Sequence, residues 1–109
     1  GPKSPSEREC RVRALAAAGQ FRLTQHSQQE MAEEAITLGQ VLEVVASGRI
    51  LEAYPEHPRG ACGLINGTTL SGRPLHVVCT IGRPLLIIIT VYEPKPPKWL
   101  TPMERGQPT

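Results

Sequence analysis

The sequence predicts an α+β domain in which N-terminal helices pack on one face of a four-stranded antiparallel sheet. Three observations carry this. Apolar residues at helical spacing stop at Gly48, and after it come four short runs that alternate or are β-branched, separated by Gly/Pro turns. The charge divides at the same place: residues 20–56 hold two arginines and six glutamates, whereas residues 57–92 hold Arg59, Arg73 and Arg83 with no acid. A chain of 109 residues sits within the size of one domain.

In order along the chain, Gly1-Pro2 reads as the scar of a removed tag and is set aside. Ser4-Pro5-Ser6-Glu7 reads as a capping box that opens a helix over about residues 5–18, ended by Gly19. Its weak stripe (Cys10, Leu15, Ala18) makes residues 1–20 an appended helix that packs lightly or docks on a partner. Residues 21–23 are short and extended, and Thr24 caps a second helix to about Glu34 that carries His26, Glu30, Glu33 and Glu34 on one stripe. Thr37-Leu38-Gly39-Gln40 is a capping box for a third helix, with Leu38, Val41, Leu42 and Val45 on its apolar face and Gly48 as its stop.

The four strands are expected at residues 49–54, 62–70, from about 75 to 81, and 85–92. Register in the last hairpin decides which side chains share a face. A two-residue loop at Gly82-Arg83 pairs His76 with Ile89 and separates His76 from Tyr92. A three-residue loop, Gly82-Arg83-Pro84, pairs His76 with Thr90 and puts Tyr92 on the same face. The second is favoured because it groups Leu75, Val77, Cys79 and Ile81 with Ile87, Ile89 and Val91 against the helices. The domain proper is then 21–94. The Pro- and Lys-rich tail, 95–109, is expected to form neither strand nor long helix, with Trp99-Leu100 as a possible anchor to the body.

Several function classes are disfavoured. Three irregularly spaced cysteines fit neither a disulfide framework nor a zinc site. The chain has no Asp, which argues against a nuclease that holds metal with an Asp-Glu cluster. Neither a leader nor an apolar run of membrane-spanning length is read in the sequence, so the expected setting is the cytoplasm, without a membrane partner. No cofactor is expected.

With this order of elements, the sequence resembles a bacterial family known as domain of unknown function 4258. The resemblance rests on Arg22-Leu23-Thr24 with His26, Met31-Ala32-Glu33, Ile36-Thr37, Tyr54-Pro55, Arg59-Gly60, the run from Gly72 to Val78, and the run from Ile89 to Pro94. It implies membership of the superfamily of RelE, ParE, BrnT and MqsR toxins, compact α+β proteins of which most cut mRNA without a metal beside a cognate antitoxin. For this branch the antitoxin is often similar to the MqsA type, with a zinc-binding half. Relatives commonly carry arginines four and eight residues after the histidine, where this chain has Glu30 and Glu34.

Metal-independent RNA cleavage needs a base for the ribose 2′-hydroxyl, an acid for the leaving oxygen and cations for the phosphorane. The expected catalytic candidates are His76, Tyr92 and His26; the expected RNA-binding residues are Arg73, Arg59, Arg83 and Thr90. His76 and Tyr92 each also read as ordinary strand residues. His26 with Glu30 also reads as a helix-surface pair. The sequence supports two functions: a toxin endoribonuclease acting on mRNA, free or on the ribosome, or a non-catalytic module on the same scaffold that binds antitoxin, gyrase or ribosome.

Overall fold

The computed structural model describes residues 4–106, so Gly1-Pro2 lies outside the described residues. Three helices, α1 (Glu7–Ala17), α2 (Gln25–Glu33) and α3 (Leu38–Ser47), and seven strands follow in the order α1, β1 (Phe21–Leu23), α2, α3, β2 (Arg49–Tyr54), β3 (Cys62–Thr68), β4 (Pro74–Thr80), β5 (Leu86–Tyr92), β6 (Trp99–Thr101), β7 (Glu104–Arg105). The main sheet has five strands in the order β1-β5-β4-β3-β2, and a separate pair is made by β6 and β7. The expected four-stranded antiparallel meander is present as β2 to β5, but the sheet is mixed: residues 21–23 join it as a parallel edge strand on β5. That strand is too short for any periodic signal, and it forms because residues 86–88 leave an open edge for it.

The core lies between the helices and one face of the sheet. Val12 and Ala16 of α1, Met31 of α2 and Val41, Val44 and Val45 of α3 cluster with Ile65, Leu75, Val77, Cys79, Ile81, Leu86, Ile88 and Val91. The first helix is therefore built into the domain. Its capping box is Ser6 with Glu9 rather than Ser4 with Glu7, and Cys10 and Ala18 are exposed while Val12 and Ala16 are buried. Glu9 is the reason for the shift. Its carboxylate accepts from Ser6 N at 2.8 Å, Ile50 N at 2.7 Å and Arg49 Nε at 3.2 Å, so it closes the cap and pins β2 at once. Burial alone would raise its pKa, but the two backbone donors and Arg49 outweigh that and lower it.

The β4–β5 hairpin departs from both expected registers. His76 pairs directly with Tyr92 and Val78 with Thr90, after which the pairing slips so that Cys79 meets Ile88. The connection is longer than two or three residues because the Thr80 hydroxyl takes ladder roles, accepting from Ile87 N at 2.9 Å and donating to Leu85 O at 3.2 Å. The slip leaves Ile89 as a bulge, whose carbonyl accepts from the Thr24 hydroxyl at 3.1 Å. Leu86 and Ile88, not Ile87 and Ile89, consequently point into the core, while Val91 does so as expected. His76 and Tyr92 share a face, as the favoured register required, though through a different pairing.

The tail is the largest correction. Residues 99–105 form the β6–β7 hairpin, and Trp99 is 1% exposed. Trp99 and Leu64 are buried without belonging to the main cluster, because they lie on the opposite side of the sheet.

Candidate functional site

On the face turned away from the helices, alternation along β3 and β4 aligns Asn66 with His76 and Leu64 with Val78. The bulge in β2 brings Glu52 opposite Leu64, and Tyr54 pairs with Cys62. His76 stands at the middle of this face and has no solvent exposure. Its ring meets Trp99 edge-on, with centroids 4.4 Å apart and planes at 88°, and Tyr92 at 5.3 Å.

The hydrogen bonds here have one consistent assignment for a neutral imidazole. Indole Nε1 can only donate, so the Tyr92 hydroxyl accepts from it at 3.1 Å. The hydroxyl proton then goes to His76 Nδ1, 3.1 Å away, and Nε2–H donates to the Pro102 carbonyl at 2.7 Å. Burial pushes the His76 pKa down, opposed by the Pro102 carbonyl and the Glu52 charge, and burial pushes Tyr92 up.

Charged residues fasten the rim. Arg105 grips Glu52 with bonds of 2.7 and 2.8 Å, and its guanidinium lies 4.6 Å from the Trp99 ring centroid. The Arg105 bond outweighs burial and, with a Tyr54 hydroxyl at 2.6 Å, holds Glu52 down at about 2. Burial and the Glu52 carboxylate push Tyr54 up to about 12. Lys98 Nζ sits 5.1 Å from the Tyr92 ring centroid.

A pH dependence follows. A histidine held neutral in the fold binds fewer protons than the unfolded chain below its ordinary value of 6.5, so stability is complete above that value and falls as pH drops through it towards the depressed folded value. Of the other groups facing the hairpin, Glu52 stays ionised to about 2 and both tyrosines titrate high. Acidification from pH 7 to 5 is therefore expected to loosen the hairpin through His76. The fluorescence of Trp99, the only tryptophan, should shift to the red over that range, and His76→Phe should remove the shift.

The remaining candidates are dispersed. Arg73 is spent on structure: Nε binds Glu93 at 2.8 Å, while Nη2 and Nη1 donate to the carbonyls of Glu34 (2.7 Å) and Ala35 (3.1 Å) at the end of α2. His26 pairs with Glu30 at 3.3 Å and makes no hydrogen bond or ring contact with His76 or Tyr92. Glu30 and Glu34 accept from Val91 N (2.9 Å) and Glu93 N (3.0 Å) beyond the part of β5 that β1 covers. The acidic stripe thus supplies acceptors to a bare strand edge. Arg59 and Arg83 are exposed at the far end of the sheet, and neither guanidinium has a hydrogen bond or ion pair among the described residues. Thr90 is half-buried opposite Val78. Among the described residues no group of three or more His, Cys, Asp or Glu could hold a metal ion, and no helix is long and apolar enough to cross a membrane.

Sequence reasoning missed Glu52, Pro102 and Arg105. The lone tryptophan in the Pro- and Lys-rich tail was the one signal for them.

Fold and site together define an α+β protein with a helix-covered mixed sheet and a histidine–tyrosine pair under a C-terminal hairpin. The chain belongs to the family described as Domain of unknown function (DUF4258), which matches residues 23–93. No curated protein and no solved structure matches it.

Proposed function

We propose that the chain is a toxin of the RelE/ParE/BrnT/MqsR-like superfamily, acting in the bacterial cytoplasm as a metal-independent endoribonuclease on mRNA. Its partner would be a cognate antitoxin, for which an MqsA-like protein with a zinc-binding half fits the resemblance. The direct His76–Tyr92 pairing carries this reading. It gives an imidazole of near-neutral chemistry an orienting hydroxyl on the sheet face free of helices, where the base for a 2′-hydroxyl would have to stand. Arg59 and Arg83 stand beyond the end of β4, which is itself four residues or about 13 Å from His76, and are exposed cations, unpaired among the described residues and available to RNA phosphate. Arg73 and His26 are not assigned a role, since one is consumed by α2 and the other stands at the β5 edge.

A second reading, a binding module without catalysis, draws support from the complete burial of His76 and from the structural use of Arg73, Glu30 and Glu34. Incubating the full chain with mRNA in excess chelator separates the two. Cleavage leaving 2′,3′-cyclic phosphate and 5′-hydroxyl ends is expected. Salt-sensitive binding with intact RNA would sink the nuclease and leave the module.

A further inference from the structure

We propose that Trp99 is an intramolecular plug seated in a nucleobase-binding slot formed by His76 and Tyr92, and that an RNA base bearing a ring N–H, uracil or guanine, takes its place when the hairpin lifts. This rests on the nuclease reading for its biological meaning, but not for the binding itself.

The indole is held as a base would be. It meets the His76 ring edge-on at 4.4 Å, and its ring N–H donates to the Tyr92 hydroxyl at 3.1 Å. Uracil N3–H and guanine N1–H offer a planar ring with the same kind of donor, and a base entering the slot would meet His76 edge-on as the indole does. A buried indole N–H needs an acceptor in any fold, and here that acceptor is the hydroxyl that also bonds His76.

The hairpin is fastened in a way that suits release. Leu100 is 58% exposed and Met103 67%, so little apolar surface beyond Trp99 holds it down. Its outer anchor is the Arg105–Glu52 pair, with Arg105 itself lying over the indole. His76, Tyr92 and Glu52 fall within the family-matched residues 23–93, whereas Trp99, Pro102 and Arg105 fall outside them. The slot belongs to the matched domain and the plug to the segment that follows it.

Closure also sets the proton. Pro102 O can only accept, so it keeps the imidazole proton on Nε2, the nitrogen that faces away from Tyr92. A base must present that nitrogen bare. Once the carbonyl and the indole leave, the proton can reside on Nδ1 with the Tyr92 oxygen accepting it, and Nε2 becomes the free lone pair. The plug therefore blocks the slot and holds the inactive tautomer.

In the closed chain, apparent affinity is lowered by the fraction of molecules that are open. Binding of uridine 3′-monophosphate, followed by the ring signals of His76, is expected to tighten at least about tenfold in full-length Trp99→Ala, which empties the slot. Arg105→Ala, which removes only the exposed anchor, should shift affinity the same way by a smaller factor and serves if the first variant unfolds. The N3-methyl analogue should lose most of the gain, as should adding Tyr92→Phe. If Trp99→Ala binds free indole but not the nucleotide, or if Arg105→Ala leaves nucleotide affinity unchanged, the plug inference is overturned. Nucleotide binding without RNA cleavage upholds the slot and removes the nuclease; cleavage by the unaltered chain with no gain in either variant does the reverse.

Discussion

Replacing Gly48 by alanine is expected to cost at least about 3 kcal/mol and to lower the melting temperature by more than about 10 °C. A Cβ there would lie 2.6 Å from Ile65 Cγ2, 2.6 Å from Val44 O and 2.8 Å from Asn66 O. The side-chain atom can turn away, but the two carbonyl oxygens belong to α3 and β3 and cannot. Relief would require lifting the C-terminus of α3 off the sheet, where Val44 and Val45 are buried. Gly82→Ala is the matched control: nothing lies within 4 Å of its added Cβ, and its melting temperature should be within the spread of ordinary surface changes. Equal melting curves for the two variants would refute the close-packing account of the α3–β3 contact.

Gly48 also illustrates what the sequence could and could not reveal. It was legible as the end of a helix, and α3 does end there, but the usual reason for a terminal glycine, a left-handed residue, does not apply, since its φ is −75°. The requirement is the approach of another element, which no local pattern encodes. The helices and β2 to β5 were legible because each carries its own periodicity, caps or turns. The parallel strand β1 was not, because three residues hold no period and its partner is 65 residues away. The β4–β5 slip was hidden for a related reason: it depends on the Thr80 and Thr24 hydroxyls standing in for backbone groups, and an unbroken run of isoleucines reads equally well in either phase.

In the site, a shared face for His76 and Tyr92 was expected, but on a His76–Thr90 pairing that the slip at Ile89 replaces. The surroundings of the pair were not legible. A proline-rich tail carries no strand signal, so its return across the sheet, bringing Trp99, Pro102 and Arg105 onto His76 and Glu52, emerges only from the packed chain. Arg73 shows the converse failure. A basic residue on a sheet rim suggests phosphate, but the rim adjoins the C-terminus of α2, whose unpaired carbonyls and the nearby Glu93 attract the same guanidinium.

If His76 acts on RNA, His76→Gln is expected to reduce cleavage by about 10²- to 10⁴-fold, the usual contribution of a positioned acid/base group. Glutamine retains an amide donor for Pro102 O and an acceptor for Tyr92, so the variant should fold, which Trp99 fluorescence can check. Tyr92→Phe makes the sharper test of how the pair divides its work. Tyr92 acts through the imidazole, so losing one orienting hydrogen bond, a net of about 1 kcal/mol, should lower kcat about fivefold, and losing the acceptor for the nucleobase N–H should raise KM. It should also move the acidic limb of the pH–rate profile, because the hydroxyl helps set the imidazole's protonation. A merely structural tyrosine would lower the apparent kcat in proportion to the unfolded fraction and leave both KM and the limb in place. Undiminished cleavage by a folded His76→Gln protein would take the imidazole out of the mechanism altogether and return the pair to the role its burial first suggests, the seat of the hairpin.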